Sequence, residues 1–250
     1  MLGFHFGMIQ FGVMHADLLG LRLHANASIL VSLCREGNPV CIPATGTWKV
    51  KMNTQLEIYS AHFADFLNLN NLVCTARKFT TNSMRLYTNR LHWPEFKAKA
   101  KNSAMITKFL LHLHVSCTLT APDARFRKAL LLGLDQFYDV CTNQKIWLDD
   151  QDVARIRTCR ELILFNYNKL SAGAAAAGVA LFGMKPKYHA LDHIMRTAMD
   201  SKLNPGAVWE FGSEDLGGRV GKVAAATHPS SMSRRTLERW MLAFFSETRR

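Results

Sequence analysis

Acidic residues are scarce in this chain. Nineteen Asp and Glu stand against 31 Lys and Arg in 250 residues, giving a formal charge of +12 and a pI near 9.7. That surplus favours an acidic partner such as nucleic acid, and it bears on association, not on fold. Cysteine occurs six times, at Cys34, Cys41, Cys74, Cys117, Cys141 and Cys159, but never as a C-x-x-C pair. The spacing excludes a zinc ribbon and fits a reduced, intracellular setting. A long apolar run is missing too. The stretch "LSAGAAAAGVALFGM" is 15 residues, short of the roughly 20 that cross a bilayer; it reads as a buried, close-packing helix end, and no membrane partner is expected. The opening "MLGFHFGMIQFGVMH" has neither a basic n-region nor a small-residue cleavage signal, which argues against secretion.

What the chain does have is apolar content, 48% of its residues, enough for a real core in a single domain spanning 1–250. A subdivision into a mixed part, 1–93, and a helical part, 94–250, is compatible with the pattern. Helical period predominates. One apolar face runs from about Ala16 to Arg35 and stops at Gly37, Asn38 and Pro39. Another follows "PATGTW" with Leu56, Tyr59, Phe63 and Phe66. Further helices are predicted over "FKAKAKNSAMITKFLLHLH", "TAPDARFRKALLLGLDQFYDV" and "LDDQDVARIRTCRELILFNYNKL", over about 186–199, 213–227 and 232–246. Between Val73 and Trp93 the β-branched and aromatic residues mix with Asn and Thr, so short strands or irregular structure fit the pattern as well as helix does. The fold class is therefore mainly α, an irregular multi-helix bundle with a few short extended segments and no βαβ alternation.

Several clusters carry possible chemistry. His189 and His193 in "KPKYHALDHI" share a helix face at i, i+4, a spacing that can bind metal, but Ala190 stands where a zincin has its general base. Packed or hydrogen-bonded structure is the plainer reading, and no metal site is assigned. In "EFGSEDLGGRVGK", Glu214 and Asp215 precede Gly217, Gly218 and Gly221, with Arg219 and Lys222 following. The glycines have no Walker or Rossmann arrangement and suit close helix packing. The acids could face a metal and the cations a phosphate. Between Arg77 and Lys128 eleven basic residues meet two acids, Glu95 and Asp123. Lys97, Lys99, Lys101 and Lys108 in this block, with Arg234, Arg235 and Arg239 in the tail, are the candidate phosphate contacts. Solvated cations on helix faces are the plain alternative.

Four stretches, "GVMHADLLGL", "KAKNSAMITKFLLHL", "KPKYHALDHI" and the segment from "NPGAVWEFGSEDLGGRVGK" to "SRRTLERW", together resemble the C-terminal part of transposase-like proteins of cut-and-paste DNA elements, of the CACTA-related D-D-E type. The resemblance implies a partial RNase H-like remnant. His15, Leu19 and Gly20 match a family motif whose catalytic Asp stands three residues before the His, at a strand end; here that position is Gly12. It also implies that Glu214, with Asp215 as the alternative, descends from the catalytic Glu that holds Mg²⁺ in such centres. The family's first catalytic Asp and its strands have no counterpart ahead of the motif, so the implied nuclease centre is incomplete.

The reading that follows is a transposase-derived, catalytically inactive, nuclear protein that binds DNA electrostatically and without sequence preference. It needs no cofactor; Mg²⁺ enters only if the chain is an active nuclease. The alternative is a non-enzymatic helical interaction protein, whose cations are surface and whose glycines pack helices.

Overall fold

The computed structural model describes residues 12–36, 46–76, 78–86, 93–117 and 119–208. All of them belong to the first of two units, Met1–Val208 and Trp209–Arg250. Glu214, Asp215, Arg219, Lys222, Arg234, Arg235 and Arg239, with the helices predicted over 213–227 and 232–246, lie outside the described residues.

The described chain is helical. A wide, π-type helical segment, Met14–Leu21, runs directly into α1 (Arg22–Glu36). α2 (Trp48–Leu69), α3 (Ala100–Ser116), α4 (Ala124–Thr142), α5 (Asp150–Ala176) and α6 (Pro186–Ser201) follow, and a 3₁₀ turn closes the unit at Pro205–Val208.

α1 is the central element. Its side chains are buried around nearly the whole circumference, polar Asn26, Ser28 and Ser32 included. Buried polar groups are tolerated only when hydrogen-bonded, and here they stitch helices together. Asn26 Nδ2 donates to the Ser103 carbonyl (2.9 Å), Thr107 Oγ1 donates to Asn26 Oδ1 (3.1 Å), and Ser103 Oγ donates to the Leu18 carbonyl (2.7 Å). α3 is thus fastened along α1. Beside them, Phe63 and Phe66 of α2, Phe109 of α3, and Phe79 and Phe96 of the chain between these helices form a continuous aromatic cluster.

α4 and α5 make a hairpin across residues 143–149. Their closeness depends on Gly133, where an added Cβ would lie 2.9 Å from Leu162 Cβ and 3.2 Å from the Cys159 carbonyl. α5 starts where its acids predict: the Asp149 side chain accepts from the Asp152 N–H at 2.8 Å, with Asp150 and Asp152 in the first turn. Pro186 opens α6, as a residue with no N–H to lose can. The alanine-rich end of α5 departs from expectation. Its residues are mostly exposed, and nothing lies within 4 Å of a Cβ built on Gly173 or Gly178. Small side chains there let the helix run on past the bundle without packing it.

The RNase H-like remnant is not found. The motif that such a fold requires at a strand end is helical here, and the described residues contain no strand, only an isolated bridge between Trp147 and Leu203. The extended pieces expected near Val73–Trp93 are turns and irregular chain among the described residues. Side chains satisfy this backbone in place of a ladder: Ser60 Oγ accepts from the Phe79 N–H (2.8 Å), Asn53 Oδ1 from Thr81 (3.0 Å) and Ser83 Oγ from Thr80 (2.8 Å). The fold class is corrected to a helical bundle with no strand among the described residues.

Candidate functional site

The segment "GVMHADLLGL" becomes intelligible once its width is known. In a π-type turn the backbone bond runs from residue i+5 to residue i, and the Arg22 N–H donates to the Asp17 carbonyl. The same winding brings the two side chains together. Arg22 Nε donates to Asp17 Oδ1 at 3.0 Å and Nη2 to Oδ2 at 2.6 Å, with both side chains removed from solvent. Nη2 also donates to the Leu134 carbonyl of α4 (2.7 Å), and the guanidinium lies 5.6 Å from the Tyr138 ring centroid. Asp17 is thereby committed to a bidentate structural ion pair. Gly20 leaves helical dihedrals (φ −117°, ψ −108°), and the place is kept for glycine: a Cβ there would meet the His15 carbonyl at 2.6 Å and Lys187 Cδ at 2.8 Å. His15 itself is exposed.

The basic block of the sequence is neutralised only in part within the fold. Lys108 sits between Asp135 (2.9 Å) and Asp139 (3.3 Å) of α4. Burial pulls its pKa down, but the hydrogen bond and charge of Asp135, with Asp139, outweigh this and leave it raised. Arg127 is fully buried against Glu36 and Asp123, and Arg85 pairs with Glu95 at 2.7 Å. Lys97, Lys99 and Lys101 are exposed at the start of α3 and form no ion pair among the described residues; Lys97 reaches Asn82 Oδ1 at 3.4 Å. His189 and His193 are exposed on α6.

A cluster that the sequence did not point to assembles around Trp93. The chain leaving α5 turns at Gly178 (φ +65°) and again at Phe182, a buried aromatic residue at φ +53°. The left-handed conformation costs such a residue about 1–2 kcal/mol. Two bonds hold it there: the Phe182 N–H donates to Ser28 Oγ of α1 (2.9 Å), and Tyr167 Oη donates to the Gly183 carbonyl (2.9 Å). The turn delivers Gly183 flat against the indole, where an added Cβ would be 2.6 Å from Trp93 Cγ. Lys185 Nζ then lies 5.3 Å from the Trp93 ring centroid, within cation–π range. Lys187 Nζ donates to the Leu19 carbonyl at 2.9 Å. Trp93 stays 44% exposed and Met184 51% exposed.

Beneath this face His24 Nδ1–H donates to the Pro94 carbonyl (3.2 Å). Burial holds the imidazole below its ordinary value; Glu95 and the Pro94 carbonyl pull it up, and Lys185 and Lys187 push it further down. The result is an exposed indole with the Lys185 ammonium over it, brought together from chain segments some ninety residues apart, with exposed Met184 and Lys187 close to Lys185 in the chain. "WP" and "GMKPK" were visible in the sequence, but nothing in either reports the other's neighbourhood.

Reactive side chains elsewhere are subdued. Burial pushes the Cys159 thiol up to about 11 and raises Cys141 and Cys74, away from the thiolate that a nucleophile needs. No group of three or more His, Cys, Asp or Glu among the described residues is arranged to hold a metal. No described helix is long and apolar enough to cross a membrane.

Comparison with known protein families, with curated proteins and with solved structures finds no match. The resemblance to D-D-E transposases is therefore withdrawn, and with it the transposase-derived, DNA-binding remnant as the main functional reading. Its sharpest motif is a wide helical turn closed by an ion pair, in a unit whose described residues hold no strand.

Proposed function

We propose that the chain is a non-enzymatic helical interaction protein, and that the face formed by Trp93, Met184, Lys185 and Lys187 receives an acidic polypeptide segment carrying an apolar side chain. The observation that carries this reading is the exposed indole, backed by Gly183 and flanked by the Lys185 ammonium. Trp is the residue type most enriched among interface anchors, and the positive rim selects for negative charge. The strained turn at Phe182 supports it, since backbone strain is retained where the surrounding structure holds a site in place.

Charge alone would also suit DNA, the partner expected from composition. A duplex rewards a row of free cations tracking its phosphates; Lys97, Lys99 and Lys101 stay exposed and unpaired among the described residues, whereas Lys108 and Arg127 of the same block are consumed in internal pairs. An apolar anchor between lysines suits a polypeptide better.

The test uses the full chain and two fluorescent probes at equal concentration: a synthetic peptide alternating Glu or Asp with Leu, and a 20-base-pair duplex. Anisotropy should report saturable binding of the peptide, weakened about tenfold by Lys185→Glu and by Met184→Ala; reversing one rim charge or removing one anchor typically removes 1–2 kcal/mol. Binding of the duplex alone, unchanged by Met184→Ala, would refute the polypeptide reading in favour of DNA. Binding of neither probe would remove this face from consideration.

A further inference from the structure

The pair His189 and His193 is exposed on α6. Their Nε2 atoms are 2.9 Å apart, and the rings meet edge to face at 4.3 Å between centroids. A hydrogen bond at that distance requires one Nε2–H and one bare Nε2. For exposed groups such a bond adds little to what water already offers. The i, i+4 register is more informative, because it keeps the two rings neighbours on one helix face with both Nε2 atoms within reach of one ion.

Two imidazole nitrogens bound to one ion at about 2.0–2.1 Å lie about 2.9 Å apart when they subtend a right angle, and about 3.3–3.4 Å apart at a tetrahedral angle. The spacing in α6 is that of a hydrogen bond, and rotation of the exposed rings lets both lone pairs converge on one ion at either angle. Square-planar and tetragonal sites with nitrogen donors are the preference of copper(II) and nickel(II), and affinity for a given nitrogen site rises through nickel to copper and falls at zinc. The one carboxylate within a turn of both rings is Asp192, which Arg160 and Arg196 hold (Arg196 Nη2 at 3.0 Å). It is not a third ligand, so water completes the coordination.

We propose that His189 and His193 form a two-point chelate for a late first-row divalent ion, copper(II) before nickel(II), and both before zinc(II). On binding, the ring that carries its proton on Nε2 moves it to Nδ1, so that both Nε2 lone pairs are presented and no net proton is released from the neutral pair. The clip leaves open positions on the ion. It suits capture of the cation, or a metal-bridged contact with a second donor molecule.

The chain contains ten histidines, so the experiment must separate this pair from scattered single sites. Nickel chloride, copper(II) sulfate and zinc chloride are titrated calorimetrically into the full chain, and into His189→Gln, His193→Gln and His62→Gln; His62 is also exposed, on α2. The expected result is a first equivalent of copper or nickel that either α6 variant weakens roughly a hundredfold, the gain that a second tethered ligand brings, while His62→Gln leaves it unchanged. Zinc should bind more weakly than nickel. Circular dichroism checks that each variant remains helical, and copper electron paramagnetic resonance should count two nitrogen donors in the wild type and one in either variant. Equal affinity across all four proteins, a first site lost in His62→Gln, or a single nitrogen donor in the wild type would overturn the proposal.

Discussion

Two arginines, Arg22 and Arg127, are completely buried in this unit, and they are buried in different ways. Arg22 faces an equally buried carboxylate five residues earlier and a backbone carbonyl from α4, with an aromatic ring beside it. Arg127 reaches outward to Glu36 (2.8 Å) and Asp123 (3.1 Å), whose side chains are 24% and 42% exposed; its Nε and Nη1, like Nη1 of Arg22, find no hydrogen-bond acceptor among the described residues. The first is a dry pair, beyond the reach of salt. The second is a buried cation with its counter-charge at the rim, open to screening and to pH. Equal burial of one residue type thus gives one centre that specifies geometry and another that couples stability to the solution.

The comparison breaks most sharply at Asp17. Asp17→Ala leaves the Arg22 charge alone in the interior and should destabilise the unit by about 3–5 kcal/mol, whereas the double change Asp17→Leu with Arg22→Met should cost much less, since a buried pair replaced by apolar groups is often neutral. Urea denaturation of the three proteins measures both, and a double variant no better than Asp17→Ala would mean that the pair earns its place by attraction.

The next largest effect is acidic. His114 lies near Arg127; burial lowers its pKa to about 4, the hydrogen bond to the Leu110 carbonyl opposes this, and the Arg127 and Lys128 charges lower it further. The unfolded chain therefore takes up this proton near pH 6.5 while the folded chain resists it down to about 4. Stability held above pH 6.5 should fall by about 2–3 kcal/mol on going to pH 4, and His114→Leu should flatten that slope in a pH series of urea midpoints.

Gly20→Ala forces a Cβ against the His15 carbonyl and the Lys187 side chain and should cost about 1–3 kcal/mol by overpacking, read as a lower melting temperature. The smallest effect belongs to the rim. Glu36→Gln should cost about 1 kcal/mol or less at low salt and nothing measurable near 1 M. A salt-independent loss there would mean that Glu36 is as dry as Asp17.

Helix positions were legible because period and capping are local. The Asp149 cap, the Pro186 start and the stripe of Leu56, Tyr59 and Phe63 all lie where their residues say. What the sequence concealed was contact between distant segments and the sign of each cation's surroundings. Lys108 reads as one more phosphate contact until α4 brings two carboxylates to it. Asp17 reads as a stray acid until the helix widens by one residue per turn and sets Arg22 in register. A period of 3.6 places those two residues on different faces, so periodicity itself pointed away from their pairing. Trp93 and Lys185 meet only through the turn at Phe182, whose left-handed backbone no propensity assigns to phenylalanine.

The Arg22 centre also has a history in time. Asp17 and Arg22 are neighbours along the chain and can find one another as soon as they are synthesised, but Leu134, which completes the cage, is made 112 residues later. Lys187, which ties down the Leu19 carbonyl, follows 168 residues after that residue. At translation speeds of about 5–20 residues per second, the ion pair spends on the order of ten seconds in water before α4 and α6 exist to dry it. The amino-terminal helix is in this sense the last part of the unit to be finished, and the charge that locks it is also what keeps it solvated while it waits.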